Sequence, residues 1–171
     1  IPNGGATGFA YEVAQQFGLS VTPRRAALVP FTLQPDLLTP LKELAGVSQS
    51  ARVSCNGMSF LEPILFTHRG ISGPGVLQIS SYWEPAFDVE IDLLPDIDAD
   101  VFLKKARADV PKQGVERVLS ELMTKRLAHV LLSIWGVDGE VGQMSNSSIE
   151  RLADHLHHWR VKPSGTEGYR T

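Results

Sequence analysis

The sequence predicts an α+β chain in which a small antiparallel, barrel-like β part is followed by a helical subdomain. Three observations carry that reading. Across residues 27–95, short β-favouring runs are punctuated by Gly and Pro. From Asp96 onward the composition shifts to helix formers, with apolar residues at helical spacing. And 171 residues, 43% of them hydrophobic and 20% charged, are enough to bury a core in one domain or two small ones.

The elements follow in order. Residues 6–17 read as a helix: Phe9, Val13 and Phe17 recur every fourth position on one face that needs a partner, and Gly18 closes it. Strands are expected at 28–33, 51–55, 64–67 and 87–93. Within this β region, Pro74 after Gly73 starts a short helix reaching towards Trp83, with proline at its first position. Asp88, Glu90 and Asp92 alternate with Val89, Ile91 and Leu93, so these carboxylates form the wet face of a strand rather than a metal cluster. Three amphipathic helices are expected after that, at 99–108, 115–135 and 148–159. The middle one carries an apolar stripe from Val118 to Ile134, and Ser147 or Ser148 caps the last.

Composition narrows the function classes. A net charge of -3, with no long block of like charge, argues against a nucleic-acid partner. No apolar run approaches the roughly 20 residues that span a bilayer, so no membrane partner is expected. The single Cys55 cannot form an internal disulfide, which fits a reducing cytoplasm, and it reads as a small buried hydrophobe. His155, His157 and His158 lack carboxylate or cysteine partners at suitable spacing, so no metal site is assigned.

Known catalytic and nucleotide signatures are missing as well. There is no strand followed by G-x-G-x-x-G, no nucleophile elbow and no H-E-x-x-H. The run Gly4-Gly5-Ala6-Thr7-Gly8 precedes a helix and reads as a helix-entry turn, with anion or cofactor binding at Gly5, Thr7 and Gly8 as the alternative. The most distinctive stretch is Phe66-Thr67-His68-Arg69-Gly70-Ile71-Ser72-Gly73-Pro74, which joins a strand end, a glycine loop and a helix start.

That stretch, continued through Leu77-Gln78-Ile79-Ser80, resembles the F-T-H-x-G-x-S-G-P-x-x-L-Q-x-S motif of the BaiN/YhiN-type flavoproteins. The likeness extends in order through Gly5-Ala6-Thr7-Gly8, Tyr11-Glu12-Val13-Ala14, Leu28-Val29-Pro30-Phe31-Thr32-Leu33, Ile91-Asp92-Leu93-Leu94-Pro95, Lys125-Arg126-Leu127-Ala128 and Gly165-Thr166-Glu167-Gly168-Tyr169-Arg170. One departure is Leu61-Glu62-Pro63-Ile64, where the family usually carries a Gly-Glu-like pair, and this leaves the strand register there open.

The resemblance implies a bacterial FAD-dependent or NAD(P)/FAD-dependent oxidoreductase whose Rossmann-like domain is interrupted by an insert. Residues 1–26 would then be a remnant of an FAD-domain helix with its linker, 27–95 the barrel-like part, 96–159 the helical part, and 160–171 the segment returning to the FAD domain. Its partners would be its own FAD-binding domain and a small-molecule substrate. FAD would belong to the parent protein, with none bound by these residues and no activity in them alone. The insert's ends should lie close together.

Within that frame, His68 is the candidate catalytic group, with a purely structural role as the alternative. Thr67, Gly70, Ser72, Gly73 and Pro74 would form a solvent-exposed loop facing substrate or flavin. Ser72 and the first N–H groups of the helix at Pro74 are candidate donors to an anion. A non-catalytic binding or assembly module is the competing function class.

Overall fold

The computed structural model describes residues 7–170. Seven strands, β1 (Phe31–Leu33), β2 (Ser48–Cys55), β3 (Met58–Phe66), β4 (Gly70–Ser72), β5 (Val89–Asp92), β6 (Trp159–Val161) and β7 (Pro163–Thr166), pair antiparallel in the order β6-β5-β2-β3-β4-β1-β7. The two edges of this sheet, β6 and β7, are separated in sequence by Lys162 alone. A sheet whose opposite edges are one stretch of chain must close on itself, and the result is a barrel. β6 pairs with β5 through Ile91↔Trp159, while β7 pairs with β1 through Phe31↔Thr166.

The barrel is held by the alternation that antiparallel strands impose. Ala51, Val53 and Cys55 of β2, Val89 and Ile91 of β5, and Trp159 and Val161 of β6 point inward beside Phe31, Ile64, Phe66 and Ile71. Burying each large apolar side chain contributes on the order of 1.5–3 kcal/mol. Cys55 sits in this interior, where burial first, and the charge of Asp88 second, push its thiol pKa above the usual value. The longest hairpin, β2–β3, runs in unbroken register from Ser48↔Leu65 to Cys55↔Met58. Its two-residue turn, Asn56-Gly57, takes positive φ at both positions (50° and 76°), the turn whose twist matches paired strands.

Helices α2 (Pro35–Leu41) and α3 (Pro74–Ile79) lie within the β region, and α3 packs on β2, β3 and β4. The helical part comprises α4 (Ala99–Asp109), α5 (Val115–Leu119), α6 (Lys125–Trp135) and α7 (Asn146–His157), with α4 against α7 and α5 against α6. Asp98, Thr124 and Ser145 cap α4, α6 and α7 by accepting from the N–H groups of Val101, Leu127 and Ser148. Gly136 closes α6 in the left-handed conformation. Helix α1 (Phe9–Gln16) buries none of its residues, and Phe9 and Phe17 remain 67% and 78% exposed.

Several expectations need correction. The 115–135 stretch is two helices, because Thr124 turns its hydroxyl to the Leu127 N–H and starts a new helix instead of continuing one. The cap of α7 is Ser145, upstream of Ser147 and Ser148. The strand expected at 64–67 begins at Met58, since the hairpin extends well beyond its buried half. Residues 160–171 are not simply a return segment: β6 and β7 supply the staves that close the barrel.

Barrel and helices meet at a hydrogen-bonded latch. His157 accepts at Nε2 from the Ala99 N–H (3.1 Å), which places the ring proton at Nδ1, 2.9 Å from Asp92 Oδ1; that same oxygen accepts from the Leu94 N–H (3.0 Å). One side chain thus joins β5, the start of α4 and the end of α7. His157→Ala leaves the Ala99 N–H without its partner, and we expect a loss of about 1–3 kcal/mol, read as a lower urea midpoint at unchanged slope.

Candidate functional site

The chain enters and leaves the barrel side by side. The Glu167 N–H donates to the Pro30 carbonyl (3.0 Å), one step beyond the Phe31↔Thr166 pair. The Val29 N–H donates to Ser80 Oγ (3.0 Å), whose hydroxyl donates to the Leu77 carbonyl (2.7 Å) and ties the entry to α3. Leu28 is held at φ 56° and is 61% exposed, a strained and uncovered leucine at the point of entry. Beside it opens a cleft lined in part by Arg25, Ser81, Trp83, Thr166 and Tyr169.

The Thr67-His68-Arg69-Gly70 turn is tied to this pole. Thr67 Oγ1 accepts from the N–H groups of Arg69 (3.3 Å) and Gly70 (3.1 Å) and lies 3.2 Å from the Gly70 carbonyl, so Thr67 holds the turn's shape. Arg69 Nη1 donates to Glu167 Oε2 at 2.6 Å, linking the turn to the exit strand. The Glu167 side chain is only 8% exposed, and its second oxygen, Oε1, is buried with no hydrogen-bond partner among the described residues. His68 stands exposed in the turn just beyond the end of β3 and makes no side-chain hydrogen bond among the described residues. Its ring is therefore free to meet a molecule from outside.

The rest of the predicted loop is not a loop. Gly70–Ser72 is strand β4; Gly70, Ile71 and Gly73 are buried, Ser72 is half-buried, and only His68, Arg69 and Pro74 are exposed. The glycines are required by the barrel's own backbone rather than by the approach of a ligand. A Cβ at Gly70 would collide with the Phe31 carbonyl oxygen and lie 3.1 Å from Thr32 Cα. One at Gly73, whose φ is 92°, would lie 2.7 Å from the Pro63 carbonyl oxygen and 2.8 Å from the Leu65 nitrogen. Pro74 opens α3 as expected, but that helix has only six residues and its first turn has no side-chain cap. The sequence reading missed Arg69 and Glu167, whose contact spans 98 positions and leaves no local pattern.

Of the candidate anion-binding residues, Gly5 lies outside the described residues. Thr7 Oγ1 accepts weakly from the Phe9 N–H (3.4 Å), and Gly8 precedes α1 in ordinary helical conformation, so these two form a helix entry. The three clustered histidines diverge: His155 stacks on Trp135, His157 binds Asp92 and His158 lies 3.3 Å from Glu90. Among the described residues no three His, Cys, Asp or Glu side chains converge in a metal-binding arrangement, and no helix is long and apolar enough to cross a membrane.

Comparison with known proteins places this geometry. Residues 25–171 match the model of the HI0933-like protein barrel and H2TH domain. Over its whole length the chain is 47% identical to a ribosomal RNA dihydrouridine synthase of Escherichia coli and 44% identical to one of Haemophilus influenzae. In both comparisons it spans 43% of the relative's length. The match begins just before the entry strand and takes in the closed barrel, the helices and the exit segment: the chain belongs to the HI0933-like barrel and H2TH domain family.

Proposed function

We propose that this chain is the substrate-side unit of a cytoplasmic, FAD-dependent reductase that converts uridine to dihydrouridine in ribosomal RNA. The observation that carries the reading is the alignment of the entire chain, at 47% identity, with a relative named for that reaction. The insert geometry supports it, since entry and exit share one pole, where a further domain can join both ends without disturbing the barrel. The proposal departs from the expected small-molecule substrate and from the expected lack of a nucleic-acid partner. A net charge of -3 averages over the whole surface and does not exclude a local basic site.

The chemistry sets what each part must supply. Dihydrouridine differs from uridine by a hydride and a proton added across one ring double bond. A reduced flavin, when bound, supplies hydride. Gly8 is a helix entry, and the space beside Gly70 and Gly73 is occupied by barrel backbone, so none of these three glycines offers a ligand a close approach. In this reading the flavin is held by the remainder of the protein, and this chain positions the RNA, excludes water and presents His68 as the proton-handling group.

The test uses the full-length protein. Purified, it should show an oxidised-flavin spectrum that dithionite bleaches. Addition of unmodified ribosomal RNA without oxygen should restore the colour, with one dihydrouridine formed per flavin reoxidised. A colourless protein, or reoxidation without dihydrouridine, overturns the reading.

A further inference from the structure

We infer that the cleft between α6, α7 and β6 is a docking site for one unpaired base of the substrate RNA and its phosphate. This rests on the ribosomal RNA reading above and names a contact at a place separate from His68. The cleft has a volume of about 710 Å³ and lies where helices meet barrel. Its apolar side is built from Leu37, Trp135 and His155, and its polar side from Asp154, His158 and Arg160.

Two features suit this ligand. First, the imidazole of His155 lies on the indole of Trp135 with ring centroids 5.3 Å apart and planes 15° from parallel, and Trp159 meets Trp135 in an edge-on contact with centroids 6.5 Å apart. A braced slab of flat rings is the surface on which unpaired bases stack. Second, at the rim the Glu90 carboxylate lies 3.3 Å from His158 Nδ1 and 3.5 Å from the Nε of the Arg160 guanidinium. That arrangement leaves the Arg160 terminal nitrogens and His158 Nε2 without partners among the described residues, while the two side chains stay 72% and 55% exposed. The guanidinium fork then matches a phosphate, and the Asp154 carboxylate offers an acceptor for a base N–H. With two carboxylates, Glu90 and Asp154, beside the single Arg160 guanidinium, the cleft suits a base with one phosphate and not a long run of backbone.

The inference is tested in the full-length protein with unmodified ribosomal RNA transcribed in vitro, measuring the Kd for that RNA, its salt dependence and dihydrouridine formation. For the double substitution Arg160→Ala with His158→Ala we expect about a tenfold weaker Kd, a higher KM with little change in kcat, and a salt slope smaller by about 0.7 for the lost phosphate contact. Arg160→Lys should recover part of the affinity, and Lys105→Ala, on exposed α4 surface, should match wild type. If wild type makes dihydrouridine and the double variant binds RNA as well as wild type does, the cleft is not an RNA site although the function stands. If wild type neither binds ribosomal RNA nor modifies it, the function fails and this inference with it.

Discussion

Gly70→Ala should destabilise the chain by about 3–5 kcal/mol, enough to abolish cooperative folding in a marginal domain. The added methyl has no free direction. It overlaps the Phe31 carbonyl oxygen and crowds Thr32, and both of those residues pair with β4 in the stretch where β1 also pairs with β7. Flexible side chains move aside at little cost, but this obstacle is backbone fixed from both flanks, so relief requires parting β4 from β1. Gly73→Ala adds a second form of the same penalty, because the residue sits at φ 92° with Pro63 and Leu65 backbone under 3 Å from the new carbon. Gly57→Ala is the comparison. It also has positive φ but meets nothing within 4 Å, so it should cost about 1 kcal/mol. Urea denaturation followed by circular dichroism separates the three. A Gly70→Ala protein as stable as wild type would show that the β1–β4 seam is not as close as described.

His68→Ala should lower the turnover of the full-length enzyme about 100-fold or more while leaving flavin content and stability unchanged. The side chain is exposed and makes no side-chain hydrogen bond among the described residues, so its removal costs the fold nothing that the structure reveals. Its neighbours divide the other tasks: Thr67 shapes the turn, and Arg69 fastens it to Glu167. Arg69→Ala leaves the buried Glu167 carboxylate without its one charged partner among the described residues and should therefore lower stability as well as activity. Turnover and thermal melting measured together distinguish the two positions. Wild-type turnover in His68→Ala would return the histidine to a passive place on the surface.

How far the sequence carried can be seen residue by residue. The change from β to α near Asp96 was legible from the shift to helix formers with apolar residues at helical spacing, and α4 begins there at Ala99. The inward and outward positions of β5 were legible from strict alternation at Val89 to Asp92. Asn56-Gly57 is a hairpin signal that went unused: the register left open at Leu61–Ile64 runs unbroken from that turn. Barrel closure was not legible, since nothing local to Trp159–Val161 and Pro163–Thr166 says that one short stretch pairs with β5 on one side and β1 on the other. Likewise, the glycines of the His68 segment advertised conformational freedom without revealing that neighbouring strands occupy the space. The exposed position of His68 just beyond the end of β3 was readable; its place beside the Arg69–Glu167 pair required the fold.

Mass spectrometry of ribosomal RNA from cells that lack the gene encoding this chain tests the proposed function most directly. Dihydrouridine should be absent from its ribosomal RNA position in those cells. It should return on expression of the intact protein and stay absent when the protein expressed lacks residues 29–167 or carries His68→Ala. Undiminished dihydrouridine in the deletion strain, or full restoration by a protein without this chain, would contradict the assignment.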